Sequence, residues 1–263
     1  MHSTKEDAHK LVNTFAAESS KGAFVHISRT DLAQGLHKRI DDPSIMDQNP
    51  SSLCGSASLL YTLACSDPVA YAQLVIDLYS KGTAHLGKRD IKPGSDLKNY
   101  DPKGAMNPAD WVPMASIRDS ANWVMDYESV DDQVAGITFP GTLEKTLKDI
   151  GYRDVEDHTN LVFHKSGSNL LNAENLRNAA KDNSSDAWWV FLFINAQILE
   201  SSTPSKYTWS PNHWVILLDS HILPDLVHLE VFSWGKKLTI PRSGTLSLNT
   251  FLGSYYGYIK CRY

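Results

Sequence analysis

Two residues in this chain stand where their chemistry would be activated: a cysteine at the start of a predicted helix and a histidine at the start of a predicted strand. The cysteine lies in Gln48-Asn49-Pro50-Ser51-Ser52-Leu53-Cys54-Gly55-Ser56-Ala57, where a polar loop runs into small residues and then an apolar stretch. That pattern places Cys54 on the first turn of a helix. The first backbone N–H groups of a helix have no intrahelical partner and carry the positive end of its dipole, so a thiolate is favoured there. If Cys54 attacks a carbonyl, its own N–H and the carboxamide of Gln48, six residues upstream, are candidate donors to the oxyanion. The alternative is a small buried hydrophobe, the common fate of a free cysteine.

His213 is the best placed of the ten histidines to serve as a base, since residues 214–218 after it are all apolar and read as a strand. In a Cys-His arrangement the imidazole takes the thiol proton and later returns it to the leaving amine. A partly buried structural histidine is the competing reading. Asp219 shares a strand face with His213 but lies about 20 Å along it, at roughly 3.3 Å per residue, too far to orient the ring. A turn near 223–226 instead brings residues 232–236 opposite His213, which makes Ser233 the candidate orienter. Serine accepts from a ring N–H more weakly than a carboxylate.

The rest of the chain must supply that helix and that strand. Its 263 residues, 42% hydrophobic, suffice for one large globular domain or two closely joined ones. A net charge of −5 without any block of Lys and Arg argues against nucleic acid as a partner. Three cysteines, Cys54, Cys65 and Cys261, match neither a disulfide framework nor a zinc site and fit a reducing compartment; no metal and no cofactor is expected. No signal-peptide core or bilayer-length apolar run is present, which predicts a soluble chain without membrane insertion. His26 and His37 read as ordinary histidines and Cys65 as core.

An amphipathic helix is predicted within residues 1–22, a short strand at Phe24-Val25-His26-Ile27, and a polar segment from Thr30 to Pro43. The Cys54 helix should end at Ser66-Asp67-Pro68, which caps a second helix stopped by Gly82. Residues 88–113 read as a long loop, with helices over 114–127, from Pro140 to Gly151 and over 169–182. Strands follow at 188–194, 212–219 and 227–234, and a last one within 251–263.

The order Gln48, Cys54-Gly55, then a distant His213 on a strand resembles papain-like cysteine peptidases. The Gln48-to-Cys54 spacing and Cys54-Gly55-Ser56-Ala57 resemble the double-glycine bacteriocin-processing peptidases of ABC exporters. Phe232-Ser233-Trp234-Gly235 is similar to the Asn-Ser-Trp-Gly segment of papain, with Phe232 at the Asn position. Leu53-Cys54-Gly55-Ser56-Ala57-Ser58-Leu59-Leu60-Tyr61 also resembles cysteine protease toxin domains of bacterial effectors, often delivered by type VI secretion. The resemblance implies an α+β, papain-like fold, a helical half with the Cys helix packed on an antiparallel sheet with the His. It implies one domain over 1–263, with 1–40 an N-terminal extension, 41–185 mainly helical and 186–263 the sheet.

The implied activity is a thiol hydrolase that cleaves target-cell proteins, with Gly-Gly as a candidate site and Gly55, Trp214 and Trp234 contacting substrate. An effector of this kind would leave through a specialised secretion system, act in the target-cell cytoplasm and need a cognate immunity protein in its producer. Deamidation, transglutamination or peptidoglycan amidase action would use the same Cys-His pair. A noncatalytic binding module on a degenerate scaffold is the reading from another class.

Overall fold

The computed structural model describes residues 3–49, 53–122, 138–160, 169–185, 187–200 and 211–263. Pro50, Ser51 and Ser52 ahead of Cys54, the Trp123 and Val124 end of the predicted 114–127 helix, and the loop around Pro204 lie outside the described residues. The protein combines helices with an antiparallel sheet and is α+β. It divides into two compact units, Met1–Gly136 with Asp149–Gly151, and Ile137–Lys148 with Tyr152–Tyr263. The second unit thus takes in residues 137–148 and 152–185, which the sequence grouped with the helical half.

The first unit is built on helices α1 (Lys5–Ala16), α2 (Arg29–Asp41), α3 (Cys54–Ser66) and α4 (Pro68–Lys81), followed by a hairpin of β1 (Ala84–Leu86) and β2 (Arg89–Ile91), then α5 (Ser95–Lys98) and α6 (Pro108–Asn122). Side-chain oxygens of Thr4, Ser28 and Asp67 accept N–H groups from the first turns of α1, α2 and α4, and Gly82 closes α4 at φ 71°, a conformation glycine adopts without a Cβ penalty. The core gathers one stripe from each long helix: Ala8, Val12 and Phe15; Leu32, Leu36 and Ile40; Leu59, Leu60 and Leu63; Tyr71, Leu74 and Leu78; Val112 and Met114.

Three expectations for this unit change. Phe24-Val25-His26-Ile27 is a turn, not a strand: the Ile27 N–H returns to the Phe24 carbonyl, Phe24 and Ile27 point inward, and Val25 is exposed. The segment after Thr30 is helix α2, whose apolar residues 32, 36 and 40 carry helical spacing among charged ones. Helix α6 starts at Pro108, inside the predicted loop, and runs through Pro113. Proline there removes the N–H that would bond the Ala109 carbonyl, and the buried Tyr71 hydroxyl donates to that carbonyl instead, at 3.4 Å.

The second unit holds α7 (Pro140–Asp149 but for its last residue), β3 (Arg153–Asp157), α8 (Asn169–Asn183), β4 (Trp189–Ile194), α9 (Gln197–Glu200), β5 (His213–Ile222), β6 (Leu226–Ser233), β7 (Lys236–Ile240), β8 (Leu246–Ser247), α10 (Leu248–Leu252) and β9 (Tyr255–Arg262). All pairings are antiparallel, in the order β3-β9-β4-β5-β6-β7, with β8 on β6. Ala173, Leu176 and Ala179 of α8 join Val190, Leu192, Ile194, Val215 and Leu217 in the core of one face. Phe191, Phe193, Trp214 and Ile216, pointing the other way, are also buried, as the continuous apolar run of β4 predicts. The predicted last strand begins four residues late because Ser247 caps α10, its Oγ accepting the Thr250 N–H at 3.1 Å.

Candidate active site

Cys54 is the first residue of α3 and is buried, as are Gly55 and the residues up to Ala64. Small side chains at 54–58 let this helix begin inside the core. Its N-cap is Leu53, which has no side-chain oxygen, so no N-cap side chain takes up the first-turn N–H groups as in α1, α2 and α4. Cys65, expected in the core, is exposed, because the last turn of α3 runs out of the core. Cys261 is buried, and desolvation pushes its thiol well above the ordinary range.

Gln48 lies on the approach to that helix and is 3% exposed. The chain around it is tied down on both sides. The Asp47 N–H donates to Oδ2 of Asp110 at 3.2 Å, and Asp47 Oδ1 accepts the Asn49 N–H at 2.8 Å. Asn49 adopts φ 52°, a left-handed turn that asparagine tolerates, and its side-chain amide donates to the Ala105 carbonyl. Asp110 is itself held in two parallel bonds by Arg39, the Nε bond measuring 2.6 Å. Sequence reading missed this pair. Its members are 71 residues apart, and Asp110 fell in a segment read as loop.

On the sheet, His213 opens β5 and is paired across the ladder with Ile194. The β5–β6 register sets Ile216 opposite Phe232 and Leu217 opposite Val231, so the far end of β6 arrives beside His213. There His213 Nε2 and Ser233 Oγ are 2.7 Å apart, both side chains buried. Strands β6 and β7 then join through Trp234 at φ 49° and Gly235 at φ 66°, a two-residue hairpin turn that needs the left-handed region at both positions. A bulky residue there is uncommon. That geometry lays the indole against the imidazole, ring centroids 4.9 Å apart and tilted by 34°.

Burial pushes the His213 pKa from 6.5 down to about 4, so the ring is neutral near pH 7. In the tautomer that carries its proton on Nε2, the ring donates to Ser233 and Nδ1 keeps the lone pair a base requires; in the other, the Ser233 hydroxyl donates to Nε2. Trp214 is 1% exposed, stacks on Phe193 at 4.3 Å and donates its indole N–H to the Thr138 carbonyl at 2.7 Å. It is a structural member of the sheet unit as described, whereas Trp234 is partly exposed. Phe232, at the Asn position of the papain-like segment, is buried and points away from His213; the neighbouring Ser233 makes the hydrogen bond. Among the described residues no group of three or more His, Cys, Asp or Glu could hold a metal, and no helix is long and apolar enough to cross a membrane. No protein-family model, no curated protein and no solved structure matches this chain.

Proposed function

We propose that this protein is a papain-like cysteine endopeptidase. Cys54 is the nucleophile, His213 the general base and then acid, Ser233 the group that orients the imidazole, and Gln48 with the Cys54 N–H the oxyanion donors. The observation that carries the reading is the buried 2.7 Å hydrogen bond between His213 Nε2 and Ser233 Oγ, with Trp234 packed against the ring, an arrangement that supports an oriented imidazole. The place of Cys54 on the first turn of α3, after an N-cap residue, Leu53, that makes no side-chain capping bond, supports the nucleophile assignment. Attack of the thiolate on a peptide carbonyl forms an acyl-enzyme and expels the amine, which takes its proton from His213. Water, deprotonated by His213, then releases the carboxylate and regenerates the thiol.

By resemblance, the biological role is that of an antibacterial effector toxin that leaves by a type VI or similar system and cleaves proteins in the target-cell cytoplasm. A cognate immunity protein would protect the producer. Gly-Gly is the first site to test. Incubating the protein with a target-cell extract should give new protein termini that disappear with Cys54→Ala. An extract unchanged by the parent protein would overturn the peptidase reading. Deamidase, transglutaminase and peptidoglycan amidase chemistry remain the same-site alternatives, separated by product masses and by whether toxicity requires periplasmic delivery. The orienting residue is a serine and not a carboxamide or carboxylate, which favours a noncatalytic binding module as the second reading. A Cys54→Ala variant that stays as toxic as the parent would establish it.

A further inference from the structure

The loop that presents Gln48 has no secondary structure of its own, yet three side-chain hydrogen bonds help to hold it. Two are within the loop or against residue 105: the Asp47 carboxylate on the Asn49 N–H, and the Asn49 amide on the Ala105 carbonyl. The third reaches into the core. Asp110 sits in the first turn of α6 and Arg39 in the last turn of α2, each at the helix end whose dipole suits its charge. The two are 1% and 5% exposed, and Arg39 also donates to the Gly35 carbonyl at 3.2 Å.

A buried ion pair of this kind is a weak source of stability, because desolvating two charges offsets most of their attraction. Asp110 has a further bond, however. Its Oδ2 also takes the Asp47 N–H, one residue before Gln48. We infer that the Arg39–Asp110 pair is a positioning device for the proposed reaction: Arg39 fixes the carboxylate, the carboxylate fixes the Asp47 amide, and the amide sets where the Gln48 carboxamide stands. The inference rests on the peptidase reading for its catalytic consequence, though not for its structural one. Neither residue touches substrate.

The test separates positioning from folding. Arg39→Met/Asp110→Leu replaces the pair by apolar groups of similar size, a change that leaves folds intact where single removals do not. It deletes the acceptor of the Asp47 N–H. Hydrogen exchange at residues 46–49 should rise by about tenfold, the scale of one lost hydrogen bond, while exchange in α1 and α4 stays put. On a cleaved peptide, kcat should fall by about ten- to a hundredfold with KM little changed, a part of what losing an oxyanion donor costs. Arg39→Lys, which keeps a cation beside Asp110 but not the two parallel bonds, should recover part of the protection and the rate. Unchanged exchange at 46–49 in the double variant would overturn the inference. Unchanged kcat with raised exchange would overturn its catalytic half. If the parent cleaves nothing, the peptidase reading fails, and the exchange data still decide whether the pair holds the loop.

Discussion

The cysteine side and the histidine side are built by different means. His213 is placed by strand registers: Ile194 opposite it on β4, and Ser233 delivered by the β5–β6 pairing. A slip of one residue would turn the ring to the other face of the sheet, so its position is specified by every apolar residue on that strand. Cys54 is placed by a helix start, and the Gln48 before it by a loop whose anchors come from α6 and α2. A ladder resists single substitutions. A loop that leans on individual side-chain bonds does not, so the proposed oxyanion donors should be the easier half to disable without unfolding.

Removing Cys54 should have the largest effect. Cys54→Ala is expected to lower kcat on a cleaved peptide by about 10⁴-fold or more, as loss of a nucleophile does, with thermal stability little altered because both side chains are small. Next comes the imidazole. The His213 pKa is about 4 in the fold and 6.5 for the free group, so between those values the unfolded chain binds more protons. Stability contributed by the neutral ring is fully present above pH 6.5 and is lost as pH falls toward 4. The loss is on the order of 3 kcal/mol. Urea unfolding at several pH values should show it, and His213→Gln should flatten that part of the profile.

Smaller effects sharpen the contrast. Ser233→Ala removes one hydrogen bond from the ring, so kcat should drop by about five- to tenfold while the sheet persists, by the usual net worth of such a bond. Trp234→Asn should act in opposite directions on fold and activity. Asparagine suits the left-handed turn position, raising stability by a few tenths to about 1 kcal/mol, and the lost stacking uncovers the His213–Ser233 bond and slows turnover.

What the sequence revealed follows the same division. The strand of His213, the turn at Leu223-Pro224-Asp225 and the arrival of Ser233 beside the ring follow from apolar runs and period-two counting, which are local signals. The start of α3 at Cys54 follows from small residues after a polar loop. Strand β3 turns only Val155 inward and leaves no alternation to read. Helix α6 was hidden by Pro113, which is accommodated because Tyr71, from another helix, serves the carbonyl that proline leaves. Arg39 and Asp110 meet through tertiary packing alone, and no spacing rule announces such a pair.

The proposed peptidase requires Cys54 and His213 to work as one acid–base unit. Its most direct test is the rate of Cys54 alkylation by iodoacetamide across pH, in the parent and in His213→Asn, with Cys54→Ser as the blank. Cys54 in the parent should react near neutral pH at least about tenfold faster than in His213→Asn, and the two profiles should converge at alkaline pH, where the thiol ionises unaided. Superimposable profiles for the two proteins, or a Cys54 that resists alkylation in the folded parent, would contradict it.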